Sequence, residues 1–288
     1  MFGHRRDGKK IKTIDPLMKI IPHIMRERND AMVMMKYDID CDSMDHFIFE
    51  KRKQESVRFT YMHILIASMV RVFAKRPKLN RFIMNGRIFK RNSIQIAFTM
   101  KKKLIDAAEE TTVKMTFDGT ESIYDIKDKI DEEIKKNSGM SAENETDRVA
   151  KALTWTPNLL IKFSVGLFKW LDKHGMLPKK LLRVSPFHTS LFLTNMKSIK
   201  MNYVFHHIYN FGTASVFMSM GKERYLPVVK DHDEESIGIR KNMEAGIVVD
   251  ERICDGLYYG NSLRLFKQIM EDPSVLEERL EEKVKDIR

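Results

Sequence analysis

The stretch that decides the fold runs from residue 250 to residue 273 and reads DERICDGLYYGNSLRLFKQIMEDP. It follows a β-branched run, which is typical of the end of a buried strand. Asp255-Gly256 then begins a segment with apolar residues at helical spacing, and Asp272-Pro273 ends it. The Asp255 carboxylate is suited to cap this helix, and Gly256 gives the backbone room at the corner. The stretch therefore predicts a strand, a tight corner and an amphipathic helix.

The rest of the chain mixes strands and helices without a regular β-α-β repeat. Strand patterns lie at 31–40, 86–91, 93–103 and 112–117, then as a four-strand meander at 187–196, 213–221, 223–230 and 236–250. Helical spacing marks 44–53, 60–77 after Thr60, 122–139 after Ser122, 257–271 and the C-terminus. No glycine-rich phosphate loop follows a strand. This order predicts an α/β (α+β) two-layer sandwich with a mixed, largely antiparallel sheet and flanking helices.

The most apolar part of the chain is residues 153–182. Its length is close to that of a membrane span, but Pro157, Lys162 and Lys169 interrupt it. One interpretation is a pair of buried or docking helices. The other is an amphipathic segment on a membrane surface, because lysines and both tryptophans lie close together here.

The chain of 288 residues carries a formal net charge of +11, which favours anionic partners. No zinc-finger spacing and no basic stripe interleaved with aromatic residues is present, so we predict no nucleic-acid partner. The two cysteines, Cys41 and Cys254, form neither a metal-ligand spacing nor a disulfide framework. Without a signal-peptide pattern, this usage predicts a cytoplasmic protein that binds no metal.

Residues 250–273 resemble the C-terminal signature of the acyltransferase catalytic domain of 2-oxo acid dehydrogenase complexes, whose fold chloramphenicol acetyltransferase shares. The family pattern is His-x-x-x-Asp-Gly, and Glu251 stands here at the histidine position. The stretch SLFLTNMKSI, 190–199, resembles a family strand that ends in Ser-Asn, with Thr194-Asn195 at those positions. YNFGTASVFMSMGK, 209–222, and RPKLNRFIMNGRIFKRNSIQIAFTMKK, 76–102, match further family segments in the correct order.

The resemblance implies a chloramphenicol acetyltransferase-like fold over one domain, residues 1–288. A helical apolar insertion is expected at about 138–187, and no lipoyl or subunit-binding domain. It also implies a homotrimer with active sites between subunits, in which a histidine acts as general base. The implied reaction moves an acyl group between coenzyme A, used as co-substrate, and a thiol, hydroxyl or amine acceptor. A rival hypothesis is a non-catalytic trimeric binding or scaffold protein of the same fold.

Glu251 is the residue on which the two hypotheses differ. Proton transfer from a thiol of pKa ~8.5 is uphill by roughly 2.7 kcal/mol to histidine and about 5.7 to glutamate. The difference costs on the order of a hundredfold in rate if the transition state feels all of it. Glu251 is therefore a surrogate base, or a structural acid in a protein that has lost the chemistry, paired with a neighbour such as Arg252 or with an arginine elsewhere. Otherwise it lies outside a site in which His206-His207 serves. A histidine pair on a helix is more often structural.

The other candidate residues take their roles from the resemblance. Asp255 is largely structural in the family and fixes the catalytic loop. Thr194 keeps the hydroxyl that would stabilise an oxyanion, although Thr194-Asn195 also suits a turn at a strand end. Lys101-Lys102-Lys103 would meet the phosphates of coenzyme A, or form a charged hairpin tip in solvent. Cys254 is a buried apolar residue or, less often in proteins, a reactive thiol.

Overall fold

The structure is a computed structural model that describes residues 5–101, 110–138, 145, 147, 148, 151, 156–231 and 236–287. The strands in this part of the chain are β1 Gly8–Lys10, β2 Met32–Asp40, β3 Arg81–Met84, β4 Arg87–Arg91, β5 Ile94–Lys101, β6 Glu110–Phe117, β7 Leu191–Asn195, β8 Val216–Asp231 and β9 Ser236–Asp250. Its longer helices are α1 Pro16–Ile24, α2 Asp42–Gln54, α3 Tyr61–Lys75, α4 Ile123–Asn137, α5 Asn158–Lys173, α6 Lys179–Val184 and α7 Gly256–Glu271.

The strands form two sheets. The smaller sheet is antiparallel, with the order β1-β4-β3, and its β3–β4 turn uses Asn85-Gly86 with positive φ at both residues. The larger sheet has the order β2-β9-β8-β7-β5-β6. Strand β7 runs parallel to both of its neighbours, and the other pairs are antiparallel. The predicted mixed, largely antiparallel sheet with flanking helices is confirmed.

Alternation along β8 separates the two faces of the larger sheet, because successive strand residues point to opposite sides. Val216, Met218 and Met220 pack into the main core together with buried residues of α2, α3, α4 and α7. Phe217 points the other way, into a smaller cluster with Phe192 and Ile208. Helices therefore cover one face, and an extended segment around Ile208 covers part of the other.

The helix starts predicted from the sequence are confirmed where a cap was named. The Thr60 hydroxyl accepts from the His63 N–H, and His63 Nδ1 accepts from the Thr60 N–H. Ser122 and Asp125 make the same reciprocal pair at the start of α4. Each pair satisfies two of the free N–H groups of a first turn. Gly139, the predicted stop of α4, lies outside the described residues.

Two strand predictions in the last third were wrong. Segments 213–221 and 223–230 form one strand, β8, which bends at an irregularity between Met220 and Glu223 instead of ending there. The meander also fails between β7 and β8, which are parallel. Their connection crosses the sheet, and Gly246 permits this, since a Cβ there would lie 2.4 Å from the Val204 carbonyl oxygen.

The predicted C-terminal helix is also wrong, because the residues after the short 3₁₀ turn Pro273–Leu276 form no helix and run irregularly. Their hydrogen bonds go to the body of the protein instead of to a helix. The Val284 N–H donates to the Ala74 carbonyl, and Arg81 binds the Asp286 carboxylate with both arms of its guanidinium, at 2.7 and 2.5 Å. The alternation of charges in this segment is typical of a helix, but bonds to distant partners hold it against the body of the protein. We call residues 277–287 the C-terminal strap.

The apolar segment 153–182 contains two helices from residue 158 onward. Leu182 and Val184 of α6 are buried, but α5 exposes most of its large apolar side chains. For α5, burial is therefore excluded, and docking on another surface stays a prediction. The buried Asp172 anchors α5 to the N-terminal arm by an ion pair of 2.8 Å with Arg5. No helix within the described residues is long and apolar enough to cross a membrane.

The strap can be tested through Asp286. Asp286→Ala leaves the buried Arg81 guanidinium without its carboxylate, so we expect the free energy of unfolding to fall by about 3 kcal/mol. The measurement is urea denaturation at neutral pH. Glu282→Ala, which removes an exposed acid from the same segment, should cost less than about 0.5 kcal/mol. Equal losses in the two variants would contradict the strap.

Candidate functional site

The end of β9 is organised by a buried ion pair between Asp250 and Arg252. The Arg252 guanidinium donates to both carboxylate oxygens of Asp250 at 2.7 Å, and the Arg252 N–H donates to one of them at 3.2 Å. Both side chains are almost completely buried. Such a bidentate pair with a backbone contact fixes the turn after the strand in one geometry.

The same pair joins three parts of the chain. Arg252 also donates to the carbonyl groups of Met25 and Arg26, which follow α1. The Tyr259 hydroxyl of α7 donates to the Asp250 carbonyl at 2.8 Å. Arg28 lies 4.0 Å from the Asp250 carboxylate, and burial lowers the pKa of Arg28 to about 10. The sequence reasoning missed this cluster, although an Asp and an Arg two residues apart at a strand end were its signal.

Glu251 lies between the two paired residues but points away from them. Its N–H continues the β2–β9 ladder by donating to the Ala31 carbonyl at 2.9 Å, and its side chain is exposed. The predicted pairing of Glu251 with Arg252 is wrong, because Asp250 occupies that guanidinium. Among the described residues, no group makes a hydrogen bond or an ion pair with the Glu251 carboxylate.

Asp255 caps α7 as expected. Its carboxylate accepts from the Tyr258 N–H at 2.9 Å, and this bond together with Lys78, 3.9 Å away, holds the pKa of Asp255 below its usual range. Gly256 has no need to be glycine within one chain, since a Cβ there would meet nothing and its φ is not positive. Burial raises the pKa of Cys254 to about 12, which disfavours a reactive thiol.

Thr194 and Asn195 end β7 and have different environments. The Thr194 hydroxyl oxygen is buried and lacks a hydrogen-bond partner in the described part of the chain. An orphaned buried hydroxyl is uncommon and calls for an explanation, such as a group supplied from outside. The Asn195 side chain, in contrast, accepts from the Ser198 N–H at 3.2 Å and thereby builds the turn.

His206 and His207 are not on a helix, and that expectation was wrong. Residues 201–209 are extended across the sheet, held by hydrogen bonds between Ser219 Oγ and the N–H and carbonyl of Val204. The His206 ring stacks on Phe217 with 4.1 Å between centroids, and its Nδ1 lies 2.8 Å from the His207 carbonyl oxygen. These contacts give the half-buried His206 a packing role, while the His207 side chain is exposed.

Lys101 ends β5, where it is paired in register with Glu110 of β6. The parallel register of β5 and β7, in which Phe98 lies opposite Leu193, puts Lys101 at the same end of the strands as Asn195. Lys102 and Lys103 lie outside the described residues. Whether this corner meets a phosphate group stays a prediction.

The candidate residues fall into two groups at opposite ends of the sheet. Thr194 lies opposite Ser219, which lies opposite Gly246. Glu251 is five residues beyond Gly246 and two strands away from Thr194. With a rise of about 3.3 Å per residue and about 4.8 Å between strands, their Cα atoms are roughly 19 Å apart. One chain alone does not bring the carboxylate and the hydroxyl together.

No group of residues suited to hold a metal ion occurs in the described ranges. A cleft with a volume of about 680 Å³ lies beside Arg252. It is polar, and α1, α5 and the β3–β4 turn form its walls.

No family model and no curated protein sequence matches the chain. Solved structures are similar to it. A probable dihydrolipoamide acetyltransferase from Listeria monocytogenes 4b F2365 has a TM-score of 0.56 at 16% identity, over 91% of this chain and 94% of that one. A truncated catalytic core of the 2-oxoacid dehydrogenase multienzyme complex from Thermoplasma acidophilum has a TM-score of 0.51 at 16% identity, over 92% and 99%. The cubic core of a pyruvate dehydrogenase multienzyme complex has a TM-score of 0.53 at 11% identity, over 93% and 94%. At these identities the likeness shows the fold alone, and the predicted chloramphenicol acetyltransferase-like fold is confirmed.

The different contributions of Asp250 and Glu251 to stability can be measured as the free energies of unfolding of two variants. Asp250→Ala leaves two buried guanidinium groups beside an empty site, so we expect a loss of about 3–5 kcal/mol in the free energy of unfolding. Glu251→Gln changes an exposed, unpaired side chain and should stay within about 0.5 kcal/mol of the native protein. A large loss in Glu251→Gln would contradict this division and make Glu251 a structural acid.

The cap predicts a dependence on pH. Asp255→Ala should lower the free energy of unfolding by about 1 kcal/mol at neutral pH. Because the folded-state pKa of Asp255 is lowered, the native advantage is complete above ~pH 5. It shrinks once the pH falls below ~3.9 and is lost as the pH passes the lower folded-state pKa. Urea titrations of both proteins across this range provide the measurement. Asp255→Asn retains a capping oxygen, so an equal loss in that variant at neutral pH would rule out capping.

Proposed function

We propose that the protein is a coenzyme-A-dependent acyltransferase that acts as a homotrimer, with its active sites between subunits. The acyl acceptor would be a thiol, a hydroxyl or an amine. The similar solved structures are acetyltransferases and cores of multienzyme complexes, which supports acyl transfer and assembly as the class of function. Coenzyme A as co-substrate, the trimer and the site residues belong to the proposal.

One observation carries the proposal. Glu251 and Thr194 occupy the two positions that the resemblance assigns to one active site, yet they belong to opposite ends of the sheet in a single chain. Only a second copy can supply the missing half to either end. A site between subunits explains why the Glu251 carboxylate is exposed and unpaired in the described part of the protomer.

The proposed chemistry gives each half of the site one task. Glu251 of one subunit accepts the proton of the acceptor as it attacks the thioester carbon of acyl-coenzyme A. The Thr194 hydroxyl of the neighbouring subunit donates a hydrogen bond to the oxyanion that forms. The tetrahedral intermediate collapses, the carbon–sulfur bond breaks, and the proton on Glu251 passes to the leaving thiolate. Asp255 and Asn195 hold the two corners in place through the cap and the turn.

The exposed corner near Thr194 would receive the phosphate groups of coenzyme A. Lys101 is at this edge of the sheet, and Lys102 and Lys103 follow it in sequence. Positive charge at the mouth of such a site attracts a polyanionic co-substrate.

A long hairpin supports assembly independently of the site. Beyond the part that pairs with β2, strands β8 and β9 continue as a two-stranded ribbon with Tyr225, Val229, Ile237 and Ile239 strongly exposed. The register puts these four residues on one face, because Val229 lies opposite Ile237 and Pro227 lies opposite Ile239. A two-stranded ribbon with an uncovered apolar face is only marginally stable alone, which favours a second copy against it.

A non-catalytic trimeric scaffold of the same fold is the second candidate. It is favoured by the exposure of the Glu251 carboxylate in the protomer, where no described residue pairs with it. The buried Asp250–Arg252 pair and the Asp255 cap preserve the fold whether or not a reaction takes place. The acyltransferase and the scaffold therefore have the same fold and differ only in whether the protein turns over acyl-coenzyme A.

An acyl-coenzyme A consumption assay distinguishes them. We expect weak turnover from the native protein, a further loss in Glu251→Gln, and a gain of up to about a hundredfold in Glu251→His, because histidine is the better-matched base. Glu282→Gln, an exposed acid elsewhere, serves as the matched control. Activity only in Glu251→His would favour the scaffold, and robust native turnover unchanged by Glu251→Gln would contradict Glu251 as base.

Mixed trimers test the shared site. Glu251→Gln and Thr194→Ala, each inactive alone, should recover activity when unfolded and refolded together, because some interfaces then join an intact Glu251 to an intact Thr194. The recovered fraction is followed by thiol release. No recovery from mixtures that do form trimers by ultracentrifugation would contradict a site between subunits.

A further inference from the structure

Helix α5 exposes a continuous row of large apolar side chains. Leu159, Phe163, Leu167 and Trp170 recur at spacings of four, four and three, so they lie along one side of the helix. Their exposed fractions are 78%, 68%, 43% and 50%. The helix is anchored by Asp172, which is buried and forms an ion pair with Arg5. A row of this size facing water is unfavourable and marks an interaction surface.

A row of positive charge runs beside the apolar row. Lys162, Lys169 and Lys173 are seven and four residues apart, which aligns them on the adjacent strip of α5. All three are exposed, and none forms an ion pair with another described residue. The only acidic side chain of α5 is Asp172, which is buried against Arg5. The exposed surface of the helix is therefore apolar and cationic, with no negative charge.

The cationic row continues into the 680 Å³ cleft. Lys169 and Lys173 line one wall, and Arg26 lines another. Deeper in the cleft is Arg28, which is 4% exposed, and its Nε is buried without a hydrogen-bond acceptor. Glu27 and Asp172 also line the cleft, and the buried Arg28 Nε lies 4.0 Å from the Asp250 carboxylate. The groups that the cleft offers to an anion are therefore the accessible cations at its mouth.

Helix α1 forms the opposite wall through Pro22 and His23 and exposes an apolar row of its own. Leu17, Ile20 and Ile24 follow at spacings of three and four, with exposed fractions of 64%, 54% and 72%. Like α5, α1 contains a lysine, Lys19, and no acidic residue. Two helices with exposed apolar rows therefore border one cationic cleft.

We propose that this face docks on an anionic phospholipid surface, with the apolar rows of α1 and α5 in the headgroup–acyl boundary and a lipid phosphate at the cleft. Helices that lie in a membrane interface combine an apolar side with lysines beside it, and they gain from attraction to anionic lipids. A second copy of this chain is a poorer occupant, because two such faces would bring lysine rows together without an exposed acid on either helix to neutralise them.

Co-sedimentation with vesicles tests the proposal on the full-length protein. We expect binding to phosphatidylcholine vesicles that contain phosphatidylserine, little binding to phosphatidylcholine alone, and weakening as salt rises. Lys169→Glu/Lys173→Glu should reduce partitioning by at least about thirtyfold, since each lysine near an anionic surface contributes about fivefold. Phe163→Ser/Trp170→Ser should reduce it through loss of the apolar row.

A charge-matched control separates docking from the overall charge of +11. Lys53→Glu/Lys135→Glu makes the same charge change in the last turns of two other helices, α2 and α4, and should leave partitioning within about twofold of the native value. In a Trp155→Phe background Trp170 is the only tryptophan, and brominated lipid should quench its fluorescence. Circular dichroism verifies that each variant is folded.

Three results would overturn the proposal. The first is absence of binding to anionic vesicles by the folded native protein. The second is equal loss of binding in the Lys53/Lys135 control and the Lys169/Lys173 variant, which would reduce the effect to net charge. The third is a change of oligomeric state caused by Phe163→Ser/Trp170→Ser together with no loss of vesicle binding, which would assign the face to a second copy. Acyl-transfer activity does not enter any of these readouts.

Discussion

The buried contact between Asp250 and Arg252 is the interaction on which the candidate site depends. This ion pair closes the turn after β9. The Asp250 carbonyl accepts a hydrogen bond from the Tyr259 hydroxyl of α7, and Arg252 donates to two carbonyl groups of the residues that follow α1. Two buried charges are costly to desolvate, and only near-ideal geometry offsets the cost. Because Asp250 and Arg252 turn inward together, Glu251 between them is directed outward. The end of β9 thus exposes the Glu251 carboxylate on a backbone that the ion pair holds in one conformation.

The separation of Glu251 from Thr194 follows from the strand order. Strand β8 is parallel to β7 and antiparallel to β9. The C-terminal ends of β7 and β9 therefore lie at opposite ends of the sheet, measured along the strand direction. This topology does not allow side-chain movement within a protomer to close the gap. If the two residues act together, as proposed, the site is incomplete in one subunit. A scaffold built in this way keeps the same interfaces.

Periodicity and caps were sufficient to predict most elements of the fold. The capping pairs at Thr60 and Ser122, the strand ending at Asp250 and the helix after Asp255 depend on neighbours in sequence, and the structure confirms them. The terminal helix failed because its residues bond to Arg81 and Ala74, about two hundred residues away. His206 failed as a helical residue for a similar reason, since Phe217 and Ser219 hold its segment extended. The Glu251–Arg252 pairing failed because Asp250 competes for the same guanidinium. The roles assigned to Glu251 and Thr194 in catalysis remain predictions.

The C-terminal strap also sets an order of events during synthesis. Arg81 is made early, and its carboxylate partner Asp286 follows 205 residues later. Until Asp286 has been made, the Arg81 guanidinium lacks the carboxylate that neutralises it in the folded protein. Contacts of such long range slow folding and leave apolar surface open to other chains. For this protein, the ion pair that neutralises the buried Arg81 guanidinium therefore forms only after the 205 residues between the two partners have been made.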